Sequence, residues 1–241
     1  MDRTPALVVC THGTRDPDGR RVAAALCAAV DAALPDVDVQ PAHVDVHPPL
    51  LSDVVAGLAD RPVVVVPALL SAGYHVDVDI AAAIAGHPAA VATPALGPDP
   101  LLVDVLLDRL TAVGCDDEDP VVLGVAGSSR AGAVEQAEQM RAGLAARRPG
   151  PTTIGYAASA HPAIAAAVAA ARESAVGRPV TVAAYLLAPG RLLRMLHTSG
   201  ADRVTDPLGA DPRIVEIVVR RYRAAVAAAP EAFRAPAAGR D

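Results

Sequence analysis

Two histidines in the first half of the chain follow short apolar runs, in the stretches Thr11-His12-Gly13-Thr14-Arg15 and Gly73-Tyr74-His75. Imidazole serves both as a ligand for divalent transition metals and as a proton acceptor near neutral pH. Two imidazoles with the remaining coordination positions open describe a site that takes up a metal and passes it on, unlike a structural zinc site closed by four ligands. Asp79 falls one helical turn after His75, where its carboxylate either holds an imidazole N–H or caps the helix. The three cysteines, Cys10, Cys27 and Cys115, have neither CxxC spacing nor an even count, so no disulfide framework or thiolate cage is expected.

Alternating strands and helices must hold these groups. Leu7 to Cys10 is a β-branched run suited to a strand buried on both faces. A helix from Arg20 to Leu34, stopped by Pro35, leads to a strand over 37–46. A helix over 50–58, a strand over 62–66, a helix over 76–85, a strand over 89–93 and a helix over 101–113 complete the pattern. Strands separated by helices of this size imply a parallel sheet covered on both faces, with ligands bound at the carboxyl ends of the strands. His12 and His75 both fall at such ends, and Gly13 lets the backbone turn beside the first.

The acidic stretch Gly114-Cys115-Asp116-Asp117-Glu118-Asp119-Pro120 reads as a linker, after which the pattern restarts. The strand ending in Ala126-Gly127-Ser128-Ser129-Arg130 restates the opening, 152–157 restates the second strand, and 180–190 restates the third with its following glycine. The stretch 205–212 echoes 93–100. The expected fold is therefore α/β, two similar doubly wound lobes with parallel sheets and a cleft between them. Residues 1–116 form the lobe carrying the histidines, 117–229 the repeat lobe, and 230–241 a disordered tail. Aligning Gly13 with Gly127 puts Ala126 in the place of His12, and aligning Gly73 with Gly190 puts Leu192 in the place of His75. Histidines lost together from the repeat are expected to be parts of one site.

Composition removes several function classes. The 241 residues are 52% hydrophobic, with no Trp and a single Phe, Phe233, which gives no aromatic platform for single-stranded nucleic acid. A formal net charge of −6 disfavours a nucleic-acid or anionic-membrane partner. No long uncharged apolar run or signal-peptide pattern stands in the sequence, so a soluble, cytoplasmic protein is expected. Its oligomeric state stays open, a monomer included.

THGTRD after a buried strand, DVHPPL at a strand end, LLSAGYHVDVDI and the repeated halves together resemble the sirohydrochlorin chelatases. These are class II tetrapyrrole chelatases, relatives of protoporphyrin ferrochelatase and anaerobic cobalt chelatase. The resemblance covers residues 5 to about 225. It implies insertion of Fe²⁺ or Co²⁺ into sirohydrochlorin, in sirohaem or cobalamin biosynthesis, with no organic cofactor. It also implies that His12 and His75 bind the incoming metal and assist deprotonation. Where the family often carries Glu, Asp45 is the nearest acidic match, a catalytic candidate, and His47 is an extra metal candidate. The substrate's eight carboxylates call for Arg and backbone N–H groups, and Gly13, Arg15, Ser128, Ser129, Arg130, Arg191 and Arg194 stand at the expected cleft-side strand ends. A non-catalytic tetrapyrrole or metal carrier would use the same residues. A histidine phosphatase requires Arg before its histidine, where this chain has Thr11.

Overall fold

In the computed structural model, the described residues are 4–71, 73, 75–229 and 233, with residues 75–77 described by backbone alone. Among the described residues, eight strands form two parallel sheets of four. In the first, β1 (Ala6–Thr11), β2 (Val39–His43), β3 (Val63–Pro67) and β4 (Ala90–Ala92) lie in the order β2-β1-β3-β4. In the second, β5 (Val121–Val125), β6 (Thr152–Tyr156), β7 (Thr181–Tyr185) and β8 (Arg203–Val204) repeat it as β6-β5-β7-β8. Every residue of β1, β3, β5 and β7 is buried, as expected for central strands of parallel sheets with helices on their faces.

Helices α1 (Pro17–Ala33), α2 (Leu51–Gly57), α3 (Ala81–Ile84) and α4 (Pro100–Ala112) belong to the first half. A π-helical turn, His75–Ile80, runs directly into α3 where the sequence indicates one regular helix. The second half supplies α5 (Ala131–Ala145), α6 (Ile164–Ser174), α7 (Arg191–His197) and α8 (Pro212–Ala228). Helix α1 begins before Arg20 because Asp16 caps it. Its Oδ1 accepts from the N–H groups of Asp18 at 3.0 Å and Gly19 at 3.4 Å, and Pro17 fits the first helical position. Strand β2 is shorter than expected because Val46 turns the chain with φ +78°. His87, which reads as a solvent-exposed turn residue, is instead half-buried. Its Nε2–H donates to Leu58 O at 3.0 Å, and its Nδ1 accepts from the Ala89 N–H at 3.1 Å.

The halves are not separate globules. The last helix of each packs on the other's sheet, α4 against β7 and α8 against β3, and α8 also packs on α1 and α4. One apolar core consequently runs through Leu7, Val66, Leu102, Leu106, Leu123, Tyr185, Ile217 and Val218. Polar contacts fix the seam: Tyr185 Oη donates to Leu70 O at 3.0 Å, and Tyr222 Oη to Pro5 O at 2.7 Å. Arg109 donates to Leu208 O at 3.0 Å, and Arg220 pairs with Asp99, the cap of α4. Each neutral hydrogen bond contributes roughly 1 kcal/mol. The acidic stretch between the halves is also tied down. Asp119, 2% exposed, pairs with Arg178 and Arg203, and Arg148 donates to the carbonyls of Asp116 and Asp119, each at 2.9 Å. Of the stretch expected to be a disordered tail, Phe233 packs against the central core and the other residues lie outside the described ones. Among the described residues, no helix is long and apolar enough to cross a membrane.

Candidate functional site

Beyond their formal ends, β1 and β2 continue to pair. Thr11 O accepts from the Val44 N–H at 2.9 Å, and His12 O from the Asp45 N–H at 3.1 Å. This carries His12 and Asp45, both exposed, to neighbouring positions on the carboxyl edge of the first sheet. Gly13 is required there: its φ is +91°, and a Cβ would lie 2.1 Å from Asp45 O. His75 begins the π-helical turn after β3, which pairs with β1 on the other side, so the topology brings it to the same edge. Its side chain is outside the described residues.

Asp45 Oδ1 accepts from the Val46 N–H at 2.6 Å, and Asp45 O accepts from the His47 N–H at 3.0 Å, forming the tight turn that presents His47. His47 Nδ1 lies 2.8 Å from Pro48 O. A carbonyl only accepts, so Nδ1 carries a proton, and in the neutral ring the lone pair is on Nε2. That Nε2 is buried without a hydrogen-bond partner. The His47 ring packs on His43, with centroids 4.1 Å apart and planes tilted by 58°.

His43, which the sequence pattern does not single out, stands against this turn. It is 8% exposed, and its Nδ1 shares a 2.7 Å hydrogen bond with Thr11 Oγ1. Burial, reinforced by His47 and Arg20, lowers its pKa to about 4, so the ring is neutral near physiological pH. The available signal was its place in β2, where an imidazole stands among residues of a largely buried strand end.

The second half repeats the backbone pairing of this edge. Ala157 N–H donates to Val125 O and Ala158 N–H to Ala126 O, as Val44 and Asp45 do to Thr11 and His12. Gly127, at φ +94°, would place a Cβ 1.7 Å from Ala158 O. Ser159, at φ +56°, matches Val46. Tyr156 N–H donates to Pro162 O as His43 N–H does to Pro49 O. Leu208 N–H donates to Leu186 O as Leu96 N–H does to Leu69 O. The equivalences that follow pair His12 with Ala126, His43 with Tyr156, His47 with Ala160 and His75 with Leu192. All four histidines of the first mouth are absent from the second.

The residues expected to grip carboxylates divide into two groups. Arg15, Ser129 and Arg191 are exposed at the strand ends. Ser128 Oγ already accepts from the Arg130 N–H at 3.1 Å, at the start of α5. Arg194 Nη1 pairs with Asp16 Oδ2 at 2.9 Å, tying α7 of the second half to the cap of α1 in the first. Among the described residues, no group of three or more His, Cys, Asp or Glu side chains is close enough to hold a metal ion. A surface cavity beside Val168, Arg172 and Ser199 lies toward the amino ends of the strands and does not belong to this site.

The family model described as CbiX matches residues 6–113 and, a second time, residues 120–225. The chain belongs to the CbiX family. A search of curated proteins finds no match. Among solved structures, the fold is similar to "SirB from Bacillus subtilis with Fe3+", with a TM-score of 0.79 and 19% identity over 95% of this chain and 98% of that one. It is similar to the sirohydrochlorin chelatase SirB from Bacillus subtilis subspecies spizizenii in complex with cobalt, with a TM-score of 0.76 and 20% identity over 95% and 99% of the chains. A third is CbiX, "the terminal Enzyme for Biosynthesis of Siroheme in Denitrifying Bacteria", with a TM-score of 0.67 and 23% identity over 92% and 99%. The expected two-lobed α/β chelatase fold is thus the fold of this CbiX-family chain.

Proposed function

We propose that this protein is a sirohydrochlorin chelatase of the cytoplasm, which inserts Fe²⁺ or Co²⁺ into sirohydrochlorin in sirohaem or cobalamin biosynthesis. One divalent ion enters the macrocycle and two pyrrole N–H protons leave, so no nucleotide or organic cofactor is needed for balance. Metal and tetrapyrrole are both substrates.

The observation that carries this reading is the asymmetry of the repeat. Two halves with the same strand order and the same turns differ at the mouth, where only the first bears His12, Asp45, His47 and His75. In this mechanism His12 and His75 hold the incoming ion, while an imidazole or the Asp45 carboxylate accepts a pyrrole proton. His47 Nε2 is a further nitrogen donor, its tautomer set by Pro48 O in the way metal-bound histidines are commonly oriented. Exposed Arg15 and Arg191, with Gly13, Ser128, Ser129, Arg130 and Arg194 nearby, bind the substrate's carboxylates. Loose nitrogen and oxygen ligands suit a metal that must be released into a ring, and a thiolate cage would retain it.

A carrier on the same scaffold would bind without turnover. The test is the absorbance change on metallation, with sirohydrochlorin in large excess over protein. Product accumulating far beyond one equivalent per chain, faster than without protein, supports the chelatase. Product that stops at one equivalent identifies a carrier.

A further inference from the structure

Thr11 and His43 are the last residues of β1 and β2, and they sit directly opposite one another in the register of the parallel pair. Both are buried, and their side chains share the 2.7 Å hydrogen bond. At the same rung of the second sheet stand Val125 and Tyr156, also buried and also opposed. The fold therefore builds this rung equally well from a valine and a tyrosine. Burying a hydroxyl and an imidazole demands that they satisfy one another, a constraint that the Val–Tyr rung avoids. Their presence in the first half alone calls for a reason beyond folding.

The neighbours supply it. The residue after β1 is His12, whose carbonyl holds the Asp45 N–H, and the Val44 N–H is held by Thr11 O itself. The His43 ring lies against His47, whose Nδ1 is committed to Pro48 O and whose Nε2 lone pair has no donor. Left unpaired, an imidazole ring turns about χ2, which is a broad torsion. The Thr11 hydroxyl fixes that angle for His43, and the fixed His43 ring is the surface on which His47 rests.

We propose that Thr11 and His43 are a positioning pair: their hydrogen bond locks the His43 ring, and that ring holds His47 in a single orientation with its Nε2 as a fixed nitrogen donor for the incoming metal. Neither Thr11 nor His43 touches the reacting atoms. This rests on the chelatase reading for the purpose of the metal, but not for the metal affinity itself.

The test compares Thr11→Val, which keeps the shape and removes the hydroxyl, with Thr11→Ser, which keeps the hydroxyl. A third variant, T11V/H43Y, transplants the rung that the second half already packs and so guards against misfolding. Each is titrated with Co²⁺ alone at pH 8, against a chromophoric chelator, and then assayed for insertion with metal and sirohydrochlorin varied separately. Loss of a neutral hydrogen bond corresponds to roughly a three- to tenfold change. Thr11→Val and T11V/H43Y should weaken Co²⁺ binding and raise the metal KM by about that factor, with the sirohydrochlorin KM unchanged and Thr11→Ser close to wild type. A merely structural rung would lower the Tm of Thr11→Val and leave its Co²⁺ affinity intact, and that result overturns the proposal. If the wild type inserts no metal at all, the chelatase reading fails instead, and the Co²⁺ titrations still decide whether the pair positions a donor.

Discussion

Acidification should destabilise this fold through His43, and substitution of that one residue should remove the effect. The unfolded chain binds a proton on His43 near pH 6.5, whereas the folded ring, with its pKa lowered to about 4, stays neutral. Between these values the unfolded state holds more protons, so stability rises with pH and is lost as the pH falls from about 6.5 toward 4. At 1.36 kcal/mol per unit the loss reaches roughly 3 kcal/mol below both values, of which about 2 kcal/mol is already lost at pH 5. His43→Phe keeps a planar ring at a rung where the second half carries Tyr156. It also strands the Thr11 hydroxyl, which costs about 1 kcal/mol at every pH. The discriminating quantity is therefore the slope. Urea unfolding at pH 7.5 and pH 5 should show the wild type losing about 2 kcal/mol more than His43→Phe over this interval. Parallel losses in the two proteins, within about 0.5 kcal/mol, would refute the burial argument.

Further expectations follow from the same geometry. Gly13→Ala faces both a left-handed φ and the Asp45 carbonyl, so it should cost at least about 2 kcal/mol in urea unfolding and abolish insertion. A fragment of residues 1–116 loses α8 from β3 and leaves bare the α4 surface that packs on β7. It should show neither a cooperative thermal transition nor a monomeric elution profile. Asp16→Asn keeps a good helix cap, but its amide then meets Arg194 donor to donor. It should weaken the tie between halves and raise the sirohydrochlorin KM severalfold, as Arg191→Ala and Arg194→Ala should by roughly tenfold or more, with little change in the metal KM. His161→Ala and His197→Ala, both at exposed positions of the second half, should leave kinetics unchanged in the same assay.

The fold was legible because its signals are local and repeated. Val63 to Val66 has little option but a buried central strand, and glycines recur at matching turns in the two halves. Gly13 could be read as a turn beside a strand-end histidine, although what it avoids, the Asp45 carbonyl, belongs to another strand. The exchange of α4 and α8 between the sheets was not legible, since periodicity records that a helix has an apolar face and not which sheet receives it. Nor was the engagement of Arg194 by Asp16, a contact between residues far apart in the chain. His43 was passed over for a related reason. Its neighbours Asp45 and His47 carry the turn motif, and the role proposed for it rests on a cross-strand partner, Thr11, that only the register of β1 and β2 reveals.

In the proposed function, one site built on the first half's histidines performs metal insertion for the whole chain. The deciding measurement is the multiple-turnover rate of sirohydrochlorin metallation with Fe²⁺ or Co²⁺ in His12→Ala and His75→Ala, each checked for wild-type circular dichroism. Removing a metal-holding, proton-accepting imidazole should lower the rate by roughly a hundredfold or more in either variant. A folded variant of either kind that keeps near wild-type turnover would contradict the account.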